Sequence, residues 1–453
     1  MNLPNYFLAD LADQSALSPT VISDACQTLK QNRARYLADR PVSSLIRIIA
    51  DIAQGWLEVE SPFRKHALDH GPVATGFSSE VLSDGLDAFF RQVTADNLNS
   101  LLLQEFGDAR RLELLGSNEF EQKRYRASLV RGPELMAHIT GGSIPNPTLT
   151  SMILGLLLRS AQVVKCATGT SFIPRLFAHS LYEVEPKLGA CLEIAEWKGG
   201  NERLEDALFA EADCLTAAGN DDTLEAIRKR LPPKTRFVGY GHRVSFAYVA
   251  QEVLSGLNPQ KILQRAARDI VAWNQLGCLS PHVIYVETNG KISPEQFAEM
   301  LSTELDSIEK NLPRGKLSDA ESADIAYRRS FYEVRAAHFL ETKLWRSPDS
   351  TAWTVVFEND PRFQMSCLNR FVYVKAVANV GHALESADAV RGKVSTVGLA
   401  ATEDKGLEIA NQFARWGATR ICALGEMQNP SLLWRHDGRP PLADFVTWTD
   451  WEL

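Results

Sequence analysis

Apolar residues in the first part of the chain recur at three- and four-residue spacing. Leu45, Ile49, Ile52 and Trp56 share one helical face, as do Leu82, Leu86, Phe89 and Phe90. Pro41, Pro62, Gly71 and Pro72 punctuate the stretch, so residues 1–130 read as a helical region. Past 130 the pattern becomes short apolar runs alternating with helical stretches. A helix follows the turn-rich GGSIPNPTL and runs to about Arg159. Strands are predicted near Val163 and Val164, and at 191–195, 214–217 and 236–240, with helices at 204–210 and 222–230. A second block predicts a strand at 283–286, a helix at 294–309 and a long helix over 323–345. Strands follow at 353–357, 371–374 and 396–400. The polar segment 310–319, with Pro313 and Gly315, reads as a surface loop. This alternation predicts a doubly wound α/β sheet. Residues 190–240 look like a mononucleotide-binding half, without a GxGxxG fingerprint.

Composition narrows the class. The 453 residues are 45% hydrophobic and 23% charged, ordinary for a globular chain of two or three domains. Lys plus Arg is 48 and Asp plus Glu is 56, a net charge of −8, which argues against a general nucleic-acid binder. The apolar run Met152–Leu158 ends at Arg159, short of the ~20 residues a spanning helix needs. No signal-peptide pattern opens the chain. Seven scattered cysteines contain no CxxC pair, so neither a metal site nor a disulfide framework is suggested, and a cytoplasmic home is expected.

One cysteine stands apart. Cys166, Cys191, Cys214 and Cys422 sit in apolar runs and read as buried small hydrophobes. Cys278 follows Gly277 in WNQLGCLSPHVIYV, at a turn entering a strand, where a side chain can face a cleft and the glycine allows close approach. Cys278 is therefore the candidate nucleophile.

NQLGC before a strand resembles the active-site stretch of aldehyde dehydrogenases. IPNPTL, VVKCAT and FVGYGHRVSF fall in the order of three further motifs of that superfamily. HITGGSIPNPTL, YGHRVSF, NQLGCLSPH and the tail LGEMQNPSLLWRHDGRPPLADFVTW more closely resemble the acyl-CoA reductases of the LuxC type, the fatty-acyl reductases of bacterial bioluminescence. The resemblance covers residues from about 130 to the C-terminus. It implies an aldehyde-dehydrogenase-like fold. Residues 1–130 would pack on a cofactor domain at 131–245, a catalytic domain would hold 246–415, and a tail at 416–453 would return to the cofactor domain or to a partner.

The implied reaction is NADPH-dependent reduction of a long-chain acyl-CoA, or another acyl thioester, to an aldehyde through a Cys278 acyl-enzyme. The resemblance assigns Asn146 and the Cys278 N–H to the oxyanion. Read from its own context, with Pro147 behind it, Asn146 also suits a helix N-cap. Lys165 matches the lysine that meets the adenosine ribose. The family's glutamate three residues on is Thr168 here, which would not repel a 2′-phosphate and so favours NADPH, with NADH as the alternative. Gly219 opens the turn into the next helix and Asn220 suits its cap, where a pyrophosphate could sit, although Asp221 and Asp222 would repel one. Gly241 is the further candidate cofactor contact. No acidic residue lies between Phe237 and Tyr248, where hydrolytic relatives place a glutamate, so water attack on the acyl-enzyme should be slow. His242 and His282 are the candidates for proton transfer, each with a structural reading beside it. HDGRP in the tail reads as a turn with a structural or partner-contact role. A homo-oligomer and an acyl-transferring partner protein are expected. The rival readings are an acyl-phosphate reductase and a non-catalytic scaffold subunit.

Overall fold

The computed structural model describes residues 3–11, 17–256 and 258–452. Its N-terminal part is helical because apolar residues recur on one face of each segment. The helix Val42–Leu57 buries Val42, Leu45, Ile46, Ile48, Ile49, Ile52, Ala53 and Trp56. Each fully buried aliphatic side chain contributes roughly 1.5–3 kcal/mol, so this helix is an anchor of the region. Its core is shared with the helices Asn146–Leu157 and Phe172–Val184. Trp56 also donates to Ser180 Oγ at 3.0 Å. Serine and threonine caps start the neighbouring helices: Ser18 before Pro19–Tyr36, Ser78 before Ser79–Phe90, Thr94 before Ala95–Phe106.

Strand β1 (Arg126–Arg131) ends this region. Five parallel strands follow: β2 (Leu135–Ile139), β3 (Ala161–Cys166), β4 (Leu192–Glu196), β5 (Cys214–Ala218) and β6 (Arg236–Tyr240). Their spatial order is β4-β3-β2-β5-β6, so the winding reverses between β2 and β5. A doubly wound sheet opens a ligand crevice at such a point, at the carboxyl ends of the strands.

The second sheet holds β7 (Val244–Val249), β8 (Pro281–Glu287), β9 (Thr342–Arg346), β10 (Thr354–Glu358), β11 (Phe371–Val377), β12 (Val394–Ala400) and β13 (Ile421–Ala423). The order is β13-β12-β7-β8-β11-β10-β9, parallel except for the edge strand β9. Three residues link the end of β6 to the start of β7, so the carboxyl edge of the first sheet meets the amino edge of the second. The chain then passes back to the first region, where β14 (Thr447–Glu452) pairs antiparallel with β1. Among the described residues no helix is long and apolar enough to cross a membrane.

Two expectations change. The long helix stops at His338, spanning Asp319–His338, and the rest of the predicted stretch becomes β9, paired to β10. The segment 310–319 is not a free surface loop. Its Arg314 is buried, donating to Thr351 Oγ1 at 2.9 Å, and Lys316 N–H donates to Gly76 C=O at 2.9 Å. Pattern reading does not predict β1, β2, β7, β13 or β14.

Candidate active site

Cys278 reaches the surface by an unusual route. After the helix Pro259–Val271, the residues Trp273, Asn274 and Gln275 adopt left-handed φ values of 49°, 52° and 64°. Such conformations cost of order 1–3 kcal/mol each, and buried hydrogen bonds offset them. Arg370 donates to Asn274 Oδ1 at 2.9 Å, and Asn274 Nδ2 donates to Arg314 C=O at 2.7 Å. Gln275 Nε2 donates to Pro281 C=O at 2.8 Å and Phe371 C=O at 2.9 Å. The asparagine and glutamine of NQLGC are thus structural, and they swing the following Gly277 and Cys278 outward. Cys278 is the exposed cysteine; Cys26, Cys166, Cys191 and Cys214 are buried, and Cys367 and Cys422 half-buried.

The Cys278 loop is pinned from below and from two sides. Ser245 Oγ on β7 donates to Cys278 C=O at 2.7 Å and accepts from Thr396 N–H on β12 at 3.1 Å. A Cβ on Gly277 would meet Gln428 Oε1 at 2.7 Å and Ile144 Cδ1 at 3.1 Å. Glycine therefore lets the tail and the SIPNP loop close on this one. Gln428 also donates to Ser280 Oγ.

Asn146 stands two residues past Ile144, and its role differs from the helix-cap reading. The helix begins at Asn146 itself, Pro145 holds the cap position, and no side chain caps the turn. Asn146 Oδ1 is buried without a hydrogen-bond partner among the described residues. An unsatisfied buried polar atom costs roughly 1–3 kcal/mol, so it calls for an explanation.

Although Cys278 is exposed by accessible surface, protein crowds the thiol closely. That burial pushes its pKa up to about 12; Asp437 adds to the rise and Arg243 opposes it. The acid therefore comes from the tail, where HDGRP read only as a turn. The Asp-Gly pair makes that turn, with φ 53° at Asp437 and 77° at Gly438. His282, on β8, is buried, and its Nδ1 accepts from Ser366 N–H at 3.1 Å. Burial, with His242 nearby, pushes its pKa down to about 4. Burial thus favours the neutral ring, with Nδ1 engaged by Ser366. His242 is exposed beside Arg243.

The other candidates gather at the crevice of the first sheet. Lys165 stands one residue before the end of β3, buried, with Nζ 5.7 Å from the Trp197 ring centre. Burial lowers its pKa, opposed by Glu205, Cys166 and Glu196. A Cβ on Gly199 would come 4.0 Å from this ammonium, and Trp197 Nε1 is buried without a partner among the described residues. Thr168 is exposed on the loop after β3, and Gly169 N–H donates to Glu196 Oε1 at 2.9 Å. Asn220 caps the helix Asp221–Arg230 through Thr223 N–H at 2.8 Å, and Gly219 N–H donates to Tyr240 C=O at 3.2 Å. Asp221 turns toward the second sheet, pairing with Lys393 at 3.4 Å. A Cβ on Gly241 would meet Asp221 Oδ1 at 2.9 Å, so Gly241 lines the seam between the sheets. Among the described residues no group of three or more His, Cys, Asp or Glu is placed to hold a metal.

Comparison with known proteins supplies the context. The chain resembles a solved proline utilization A variant of Bradyrhizobium japonicum at a TM-score of 0.71 and 16% identity, over 98% of this chain and 46% of that one. It also resembles an NAD-dependent benzaldehyde dehydrogenase of Corynebacterium glutamicum at a TM-score of 0.67 and 12% identity, over 96% and 91% of the two chains. These likenesses show an aldehyde dehydrogenase fold. Long-chain acyl-protein thioester reductases of Photorhabdus laumondii and Vibrio harveyi are 23% and 22% identical over 320 and 324 residues, 70% of this chain. The chain spans 63% of the length of these relatives. Residues 37–448 match the family described as acyl-CoA reductase (LuxC), and the chain belongs to that family.

Proposed function

We propose that the protein reduces an acyl thioester, a long-chain acyl-CoA or an acyl carrier, to an aldehyde through a covalent intermediate on Cys278. The reductant is NADPH, with NADH as the alternative. One observation carries this reading: the exposed Cys278 follows Gly277, against which Ile144, two residues before Asn146, closes. The names of the relatives point to the same substrate class.

The Cys278 sulfur attacks the acyl carbonyl. A carbon–sulfur bond forms, the bond to the carrier breaks, and the thiol proton departs with the carrier thiol. The oxyanion of the tetrahedral species needs fixed donors, and the Asn146 amide and the Cys278 N–H are the candidates. The bound dinucleotide supplies the hydride that reduces the acyl group. Cys278 is then released as a thiolate when the thiohemiacetal collapses.

The residues at the first sheet's crevice fit a dinucleotide. Lys165 offers a buried cation bordered by the exposed Gly199. The capped turn at Gly219 and Asn220 offers a helix N-terminus, and the Asp221 carboxylate is drawn away by Lys393. Thr168 places no carboxylate at its position, and Glu196 is engaged by Gly169, which is the basis for naming NADPH. In this reading the protein works in the cytoplasm as a homo-oligomer and receives its acyl group from CoA or a partner protein.

The test is a labelled acyl-CoA incubated with the protein and then denatured. Wild type should retain the label and Cys278→Ala should not. Equal labelling of both would overturn the reading.

A further inference from the structure

The tail carries a charged residue into the seam between the sheets. His436 stacks on Tyr240, with ring centres 4.5 Å apart, and lies 4.7 Å from Trp434. The Arg420 guanidinium covers the Trp434 ring at 5.6 Å. These contacts fix Asp437 beside the link from β6 to β7. Its side chain is 5% exposed, lies 3.3 Å from Arg243 Nε and accepts from Ser395 Oγ at 3.3 Å. Ser395 precedes Thr396, whose N–H reaches Ser245, and Ser245 holds the Cys278 carbonyl. The strand that grips Asp437 therefore also grips the nucleophile loop.

We infer that Asp437 is a positioning residue that acts on the reaction through Arg243: it pairs with the guanidinium two residues before Ser245, which holds the Cys278 carbonyl, and so offsets the cation that the nucleophile would otherwise meet. The inference rests on Cys278 being that nucleophile. The backbone of Asp437 is left-handed, which aspartate tolerates, and the stacked rings of Trp434, His436 and Tyr240 fix it there. The two charges act on the thiol in opposite senses, Asp437 disfavouring and Arg243 favouring the thiolate. The other charged and titratable groups about the seam are exposed His242, buried His282, His436, which burial holds low, the Asp221–Lys393 pair against Gly241, and Arg439 and Asp444 beside Tyr240.

The test measures Cys278 alkylation by iodoacetamide against pH in the full chain, with Cys278→Ala subtracting the half-buried Cys367 and Cys422. Asp437→Asn keeps the size and suits left-handed backbone. It should speed alkylation about tenfold below the inflexion, a shift of about one pH unit. Arg243→Met should slow alkylation about tenfold. The double variant should return to within about threefold of wild type. The acylation rate with acyl-CoA should follow the same order, while KM stays within about twofold. If wild type shows neither Cys278-dependent alkylation nor acyl labelling, the nucleophile assignment fails and this inference falls with it. If Cys278 labels normally but both variants keep the wild-type profile and only melt earlier, the pair is structural and this inference alone is overturned.

Discussion

The two sheets meet edge to edge, yet they finish those edges differently. The carboxyl edge of the first sheet ends in exposed loops, with Thr168, Gly169, Gly199 and Gly200 facing solvent. The amino edge of the second is tied down. Ser245 and Thr396 hold the Cys278 loop, Gln428 reaches Ser280, and Asp437 reaches Ser395. Behind them the buried Asp269 accepts from Gly425 N–H at 2.6 Å and Met427 N–H at 2.9 Å, fastening the tail that covers this edge. The lesson is one of division. The first edge is built from open backbone, and the second from buried hydrogen bonds.

The largest break should come from Cys278→Ala, which removes the reacting atom at the tied edge. Aldehyde formation should vanish while dinucleotide affinity, measured by fluorescence titration, is unchanged. Loss of both together would show that the edges are not separable. Asn146→Ala comes next, with turnover falling by about a hundredfold through the lost oxyanion donor. Because Asn146 caps nothing, its melting curve should stay within about 0.5 kcal/mol of wild type. A drop of ~1 kcal/mol with normal turnover would reinstate the capping role.

Lys165→Ala probes the open edge. A charged hydrogen bond is worth roughly 1.5–3 kcal/mol, so NADPH affinity should fall roughly tenfold to a hundredfold while acyl labelling of Cys278 persists. An unaltered dissociation constant would remove Lys165 from the crevice. The mildest test is pH. Burial raises the Asp269 carboxyl from 3.8 to about 7, opposed by its two backbone donors. Between those values the unfolded chain ionises this group and the folded chain keeps it protonated. The unfolded state therefore binds fewer protons, and this group's contribution to stability declines as pH rises through that window. Denaturation at several pH values should show the slope, and Asp269→Asn should flatten it. The same variant should cost roughly 1–3 kcal/mol, since an amide cannot accept from both N–H groups.

Much of the first sheet was legible because its strands are short apolar runs between polar helices. β3 is buried at every position and follows a helix of ordinary spacing. β2 escaped because His138 interrupts it, a polar residue satisfied only by distant partners, Thr216 at 2.8 Å and Gln162 at 3.1 Å. β9 was read as helix because Leu340, Leu344 and Trp345 keep helical spacing, and only the neighbouring β10 decides otherwise. At the site, Cys278 was legible from the glycine and the turn. Asp437 and Arg243 were not, since no local pattern says that a tail will cross a seam nearly two hundred residues earlier in the chain. The left-handed run at Trp273–Gln275 was equally hidden, because no glycine marks it.

The pairing of β1 with β14 has a consequence for how the protein is made. A ribosome releases β1 long before β14, so β1 waits as an unpaired edge through most of synthesis. The tail segments that brace Cys278 lie between β13 and β14. That brace therefore forms only after β12 and β13 have been made. A polypeptide halted after β12 would carry Cys278 and the crevice of the first sheet, yet lack the segments that hold the Cys278 loop in place.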